Sequence, residues 1–196
     1  MLKTNLLSLE VILVIGVVGM TGSVLAQDAT APLLLPATKL ESFETNVGIL
    51  IIKGTTEVGA VSGTGGDVTV KCREVSDAAT GRKERGVALE IIEQGQLKDR
   101  LLIDYDELEP LLKGVDTLSK IDSSVTSLDS FDAAFTTRGG LRLAALGNRR
   151  TGSFRFGLRD LRQNLAPISF SREEMVRFSS LMTEAKKRLD SIGKGL

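Results

Sequence analysis

From Glu41 onward, short apolar runs alternate with glycine-rich breaks, the rhythm of antiparallel strands joined by tight turns. Four strands are predicted in the first stretch, at "VGILIIKG" (47–54), "DVTVKCREV" (67–75), "GVALEIIEQ" (86–94) and "RLLIDY" (100–105), with a weaker candidate at "TEVGAV" (56–61). The period then changes. Leu108, Leu111, Leu112, Val115, Leu118 and Ile121 recur at steps of three and four, which gives a helix one apolar face. Four further strands follow at "FDAAFTTRG", "GLRLAALG", "SFRFGLRD" and "APISFS". Met175, Phe178, Leu181, Met182, Ala185, Leu189 and Ile192 then make a second apolar helix face.

The expected fold is therefore α+β, two ββββα repeats with about eight antiparallel strands and two helices, spanning 41–122 and 123–196 and packed as one pseudo-symmetric domain. The two strand-to-helix junctions correspond in detail. Ile103, Tyr105 and Asp106 match Ile168, Phe170 and Ser171, and Asp106 with Glu109, like Ser171 with Glu174, has capping-box spacing. On that reading the carboxylates of "LLIDYDELEPLL" (101–112) serve a helix start. A divalent cation would also accept four carboxylates, but the stretch lacks the spacing and glycine of an EF-hand loop. Pro110 is then tolerated by lying close to the first turn.

Composition changes the picture mainly at the N-terminus. Lys3, the uncharged run "VILVIGVVGM" (Val11–Met20) and "SVLA" before Gln27 describe an export signal over residues 1–26, cleaved near Ala26 and Gln27. Ten apolar residues fall short of the roughly 20 that span a bilayer, although an uncleaved anchor remains the alternative. Residues 27–40, with two of the four prolines, are expected to be an extended linker. The protein is then periplasmic or extracellular. The remaining 170 residues suit one domain, and a 42 % hydrophobic content is enough for a core. The single cysteine, Cys72, allows no intramolecular disulfide. It shares strand parity with Val68 and Val70, which points it into the core.

Charge separates the halves that hydropathy made alike. Residues 41–122 carry 16 acidic and 10 basic side chains, whereas residues 123–196 carry 7 acidic and 13 basic. In "FRFGLR", Phe154, Phe156 and Leu158 take one face of a strand and Arg155 and Arg159 the other, about 13 Å apart at roughly 3.3 Å per residue. Together with Arg142, Arg149 and Arg150 they form a candidate anion-binding face. Its partner would be an acidic protein, an anionic lipid head group or a polyanion, and self-association is a further option. Two ordinary readings stand beside it, a solvated sheet face and pairing of the basic half with the acidic one. The aromatics interleaved with these arginines fall on the core side, not where bases would stack.

Catalysis has little support. The chain has no histidine, which excludes histidine triads, general bases and metal ligands. Serine-lysine and paired-carboxylate chemistry survive on composition alone. "SGTGGD" (62–67) lacks the lysine and following helix of a phosphate loop and is expected to be a hairpin turn. No cofactor or metal is expected. "LLIDYDELEPLLKGVDTLSKI" and "FDAAFTTRGGLRLAAL", with the charged and apolar C-terminal helix, resemble a set of small exported bacterial proteins without assigned function. Four strands then a helix, used twice, also resembles the plan of Whirly and positive-cofactor-four type single-stranded nucleic-acid-binding domains. That second resemblance implies nucleic-acid or polyanion binding through the arginine-rich half. The leading expectation is a non-catalytic exported binding or assembly module.

If the export signal is removed, mass spectrometry of the natively expressed protein will find an N-terminus at or near Gln27. An intact Met1 or Leu2 terminus in the membrane fraction would establish an anchor instead.

Overall fold

Alternation across the strand pleat organises the molecule, a computed structural model that describes residues 37–193. In β2 (Gly66–Asp77), Val68, Val70 and Cys72 are buried on one face, while Thr69, Lys71, Arg73 and Val75 occupy the other. β2 lies between β1 (Ile51–Gly63) and β3 (Lys83–Glu93), and β4 (Gln96–Asp104) completes an antiparallel sheet in the order β1-β2-β3-β4. α2 (Tyr105–Lys120) follows. The second sheet repeats the plan with β5 (Ser130–Thr136), β6 (Leu141–Asn148), β7 (Ser153–Asp160) and β8 (Ile168–Phe170), in the order β5-β6-β7-β8, and leads into α3 (Arg172–Gly193). The expected α+β fold of two four-stranded sheets, each followed by a helix, is what the structure has. The expected export signal and residues 27–36 of the expected linker lie outside the described residues.

One core serves both repeats. It joins Val70, Leu89 and Leu101 of the first sheet to Leu143, Phe156 and Ile168 of the second, and to Leu111 and Val115 of α2 and Phe178 and Met182 of α3. Each helix touches both sheets: α2 packs against β3, β4, β5 and β6, and α3 against β1, β2, β7 and β8. The sheets also meet directly, because Thr64 just past β1 and Ser169 in β8 exchange both backbone hydrogen bonds at 2.9 Å. Gly63 permits this approach, since a Cβ there would stand 2.7 Å from the Ser169 carbonyl and from the Phe170 ring. Cys72 is buried as its parity requires, beneath α3, with its thiol toward the Ala185 carbonyl at 3.5 Å. Burial raises the thiol's pKa above the usual range, which keeps it protonated.

Several boundaries differ from the pattern. Residues 47–50 lie before β1, and "TEVGAV" continues that strand as one element from Ile51 to Gly63, with a register shift between Glu57 and Gly59. A short helix, α1 (Lys39–Glu44), occupies the end of the stretch expected to be linker, so residues 37–40 are its cap and first turn. Leu40 and Phe43 anchor it on the outer face of the first sheet, over Val75, Ala88 and Leu102.

That helix explains a correction at the first junction. Asp106 is not the N-cap of α2. The helix starts at Tyr105, its N-cap is Asp104, and the Asp104 side chain makes no capping hydrogen bond to it. Asp104 ends β4 on the outward parity, so its carboxylate faces α1. There its oxygens accept the free N–H groups of Lys39 at 2.8 Å and Leu40 at 3.0 Å, while Thr38 accepts that of Glu41 at 3.0 Å. Pro110 accordingly stands in the second turn of α2, where it withholds one helical donor. The second junction has the expected box: the Glu174 N–H donates to Ser171 Oγ at 3.2 Å, and the Ser171 N–H donates to Glu174 Oε2 at 2.6 Å.

Ser171→Ala should lower stability by about 1 kcal/mol through loss of the cap. Asp104→Ala should cost more, about 1–3 kcal/mol, because it leaves α1 donors unpaired in a buried place. Asp106→Ala removes only half-exposed ion pairs and should cost less than about 1 kcal/mol. Denaturant midpoints of the three variants test this order, and Asp106 ranking first would contradict the assignment of Asp104.

Candidate functional site

The outer face of the second sheet is built by three strands in a fixed register. Arg142 of β6 lies directly opposite Arg159 of β7, Ala144 opposite Gly157, and Leu146 opposite Arg155. Phe156 and Leu158 are buried on the inner face and Phe154 is half-buried there, so Arg155 and Arg159 share the solvent side as their parity requires. Arg149 and Arg150 sit in the turn between β6 and β7. Arg142 reaches along the sheet to Asp132 of β5 at 2.6 Å, and Arg149 Nη1 donates to the Thr126 carbonyl at 2.9 Å. The side chains of Arg150, Arg155 and Arg159 are exposed and, among the described residues, make no ion pair or hydrogen bond. Ala144 and Gly157 floor a shallow depression of about 160 Å³, bounded by Arg142, Arg159, Asp132 and Pro167. The structure thus brings Arg142, Arg155 and Arg159 onto one face and leaves Arg149 and Arg150 at its end.

The other arginines of the basic half are spent holding the molecule together. Arg138 donates to Asp106 at 2.7 Å and lies 3.5 Å from both Asp104 and Glu107, while its backbone N–H donates to Glu107 Oε1 at 2.7 Å. Burial works to raise the pKa of Asp106, but hydrogen bonds from Lys39 and Arg138 outweigh it and hold the carboxyl below the usual range. Arg162 pairs with Glu41 of α1 at 2.7 Å. From α3, Arg177 and Arg188 donate to the β1 carbonyls of Ala60 and Glu57, and Arg172 donates to the Ser119 and Ile121 carbonyls at the end of α2.

Two aspartates form a second junction between the halves. Asp160 of β7 is 1 % exposed. Its Oδ1 accepts the Arg162 N–H at 2.7 Å, and its Oδ2 is buried without a partner. Asp99 of β4 has Oδ1 on the Arg100 N–H at 2.8 Å and an Oδ2 in the same condition, and the two carboxyl groups are near enough to influence each other's charge. Burial, and then the adjacent Asp160, push the pKa of Asp99 above the usual carboxylate range. A proton carried by Asp99 would supply the donor that two facing carboxylates lack. Strand parity held the signal for this pair: Asp99 falls in step with Leu101 and Ile103, and Asp160 with Phe156 and Leu158, each an acid at an inward position.

Sequence reasoning also missed a cleft of about 780 Å³ between the turn before β3, the start of α2 and the end of α3. Its charges are mutually satisfied. Lys39 pairs with Asp106 at 3.0 Å, Lys186 with Asp190 at 3.0 Å, and the Tyr105 hydroxyl donates a short hydrogen bond to Asp190. Lys83 and Arg85 pair with Glu74 at 3.2 and 2.6 Å. The open arginines lie elsewhere, on the second sheet. Comparison with protein-family models, curated proteins and solved structures finds no match to the chain.

The Asp99 and Asp160 pair makes a signed prediction. A group whose folded pKa is raised contributes stability that is present below its unfolded pKa and is lost as pH rises through its folded pKa. Asp99→Asn, which imitates the protonated acid, should therefore melt at a higher temperature than the wild type at pH 7, and the gap should close toward pH 4. A variant destabilised equally at both values would mean that Asp99 serves as a carboxylate.

Proposed function

We propose that the protein is a non-catalytic, exported binding or assembly module whose docking face is the outer surface of the second sheet and whose partner carries negative charge. The observation that carries this reading is the placement of Arg142 directly opposite Arg159, with Arg155 on the same face and, among the described residues, no acid paired with them beyond Asp132. Like charges directly opposite on a sheet destabilise it, and a bound anion removes that cost. Guanidinium forks suit carboxylate and phosphate oxygens, and the small floor of Ala144 and Gly157 lets an extended partner lie close to the sheet. Export rests on the N-terminal run of Val11–Met20 and the small-residue site before Gln27.

The repeated order of four strands and a helix favours a second reading, in which the same arginines hold the phosphates of a single-stranded nucleic acid. Phe154 and Phe156 turn to the inner face, so binding of that kind would rest on the backbone with no stacking platform.

The double variant Arg155→Ser, Arg159→Ser should change stability by less than about 0.5 kcal/mol per site, as exposed charges without partners do. It should elute from an immobilised polyglutamate column, and from a single-stranded oligonucleotide column, at lower salt than the wild type. Its retention should also depend less steeply on salt, because fewer counterions are displaced. Preference for polyglutamate at matched charge supports an acidic protein partner, and preference for the oligonucleotide supports the second reading. Unchanged elution from both columns would leave this face as plain solvated surface.

A further inference from the structure

β1 is an edge strand, and its second half is already occupied: Arg188 donates to the Glu57 carbonyl, Arg177 to the Ala60 carbonyl, and Thr64 pairs with Ser169. Among the described residues its first half has no such cover. The Leu50 carbonyl accepts the Ala78 N–H, so by alternation Leu50, Ile52, Gly54 and Thr56 turn their backbone groups toward β2, and Ile51, Lys53 and Thr55 turn theirs outward. The side chains around this open stretch are apolar and exposed, Leu50 by 71 % and Ile52 by 56 %, with Val47 and Ile49 beside them. On the inner face the apolar surface continues into a depression of about 180 Å³ that Gly54 and Thr56 line with Ile192 of α3.

We propose that this edge pairs antiparallel with the same edge of a second copy, about a two-fold axis at Ile51. The register follows by elimination. Outward-facing residues must oppose outward-facing residues, which allows an axis at any residue from Ile51 to Thr55. One at Ile52 spends Leu50 on Gly54, which has no side chain, and one at Gly54 needs the Glu57 carbonyl that Arg188 holds. An axis at Lys53 places that lysine against its own copy, a like-charge pair. An axis at Thr55 needs the Glu57 carbonyl that Arg188 holds at 3.2 Å, and runs into the register shift between Glu57 and Gly59. An axis at Ile51 sets Leu50 of each copy against Ile52 of the other and Ile49 against the stem of Lys53, while leaving the Lys53 pair with Glu44 at 2.7 Å intact. The interface is self-complementary, as a two-fold contact must be, and extends the sheet from four strands to eight.

The register makes this testable with cysteines, since the native Cys72 is buried. Residues facing each other across the axis have Cα atoms about 5.5 Å apart, within disulfide reach. Under mild oxidation Ile51→Cys should give a covalent dimer in higher yield than Ile52→Cys, Lys53→Cys or Thr55→Cys. In sedimentation equilibrium the wild type should show twice the monomer mass. Ile52→Lys should weaken association by about tenfold or more and keep the wild-type melting temperature when measured as monomer. A wild type that stays monomeric, cross-linking that peaks at 52, 53 or 55, or a dimer indifferent to Ile52→Lys would each overturn the proposal.

Discussion

A sheet with one apolar face must bury that face, and here neither sheet can do so with its own helix alone. The inner residues of β1–β4 and of β5–β8 contribute to a single core, and α2 and α3 each pack against strands of both sheets. This shared burial makes the two repeats one cooperative unit rather than two linked domains. It also determines what remains for the surface. Once Phe156 and Leu158 are committed to the core, the pleat leaves Arg155 and Arg159 only the outer face, held on a backbone that the core keeps rigid.

The unequal charge of the halves resolves into two populations. Arg138, Arg162, Arg172, Arg177 and Arg188 bind the first half, partly through carboxylates and partly through backbone carbonyls at the ends or edges of elements. An arginine placed on such a carbonyl satisfies an acceptor that secondary structure leaves free. The arginines of the second sheet's outer face have little of this employment. Arg142 has one half-exposed partner in Asp132, and Arg155 and Arg159 have none among the described residues.

Where structure is set by local period, the sequence was legible. Alternation located the strands, the burial of Cys72 and the sidedness of "FRFGLR", and three-and-four spacing located both long helices. The Ser171 and Glu174 box was readable because all its partners lie within four residues. The Asp106 cap failed for the converse reason: the nearest donors for Asp104 belong to α1, more than sixty residues away in sequence, and no local spacing reports them. α1 itself was hidden by its brevity and by the prolines before it, and it forms by docking Leu40 and Phe43 rather than through propensity. Asp99 and Asp160 were visible as inward acids, but that they meet depends on how β4 and β7 come together. The arginine face was legible as residues and parity. The direct opposition of Arg142 and Arg159 required the register.

The two outer faces, alike in strand plan, differ in what covers them. On the first sheet α1 lays Leu40 and Phe43 over Val75, Ala88 and Leu102, and beyond it the face closes on itself: Lys71 and Arg100 meet at Glu90, and Arg73 reaches back to Glu44 and Thr55. Its charges are neutralised in place, and an incoming partner would have to break those pairs before making new ones. The second sheet has no counterpart of α1 among the described residues, and its cations outnumber the single acid beside them. An anion arriving there displaces mainly water and counterions, and it lowers the repulsion between Arg142 and Arg159. Pseudo-symmetry therefore supplies two similar platforms. One is closed by its own helix and ion pairs, which leaves the other as the platform whose charges are open, the ground for proposing a charged partner there.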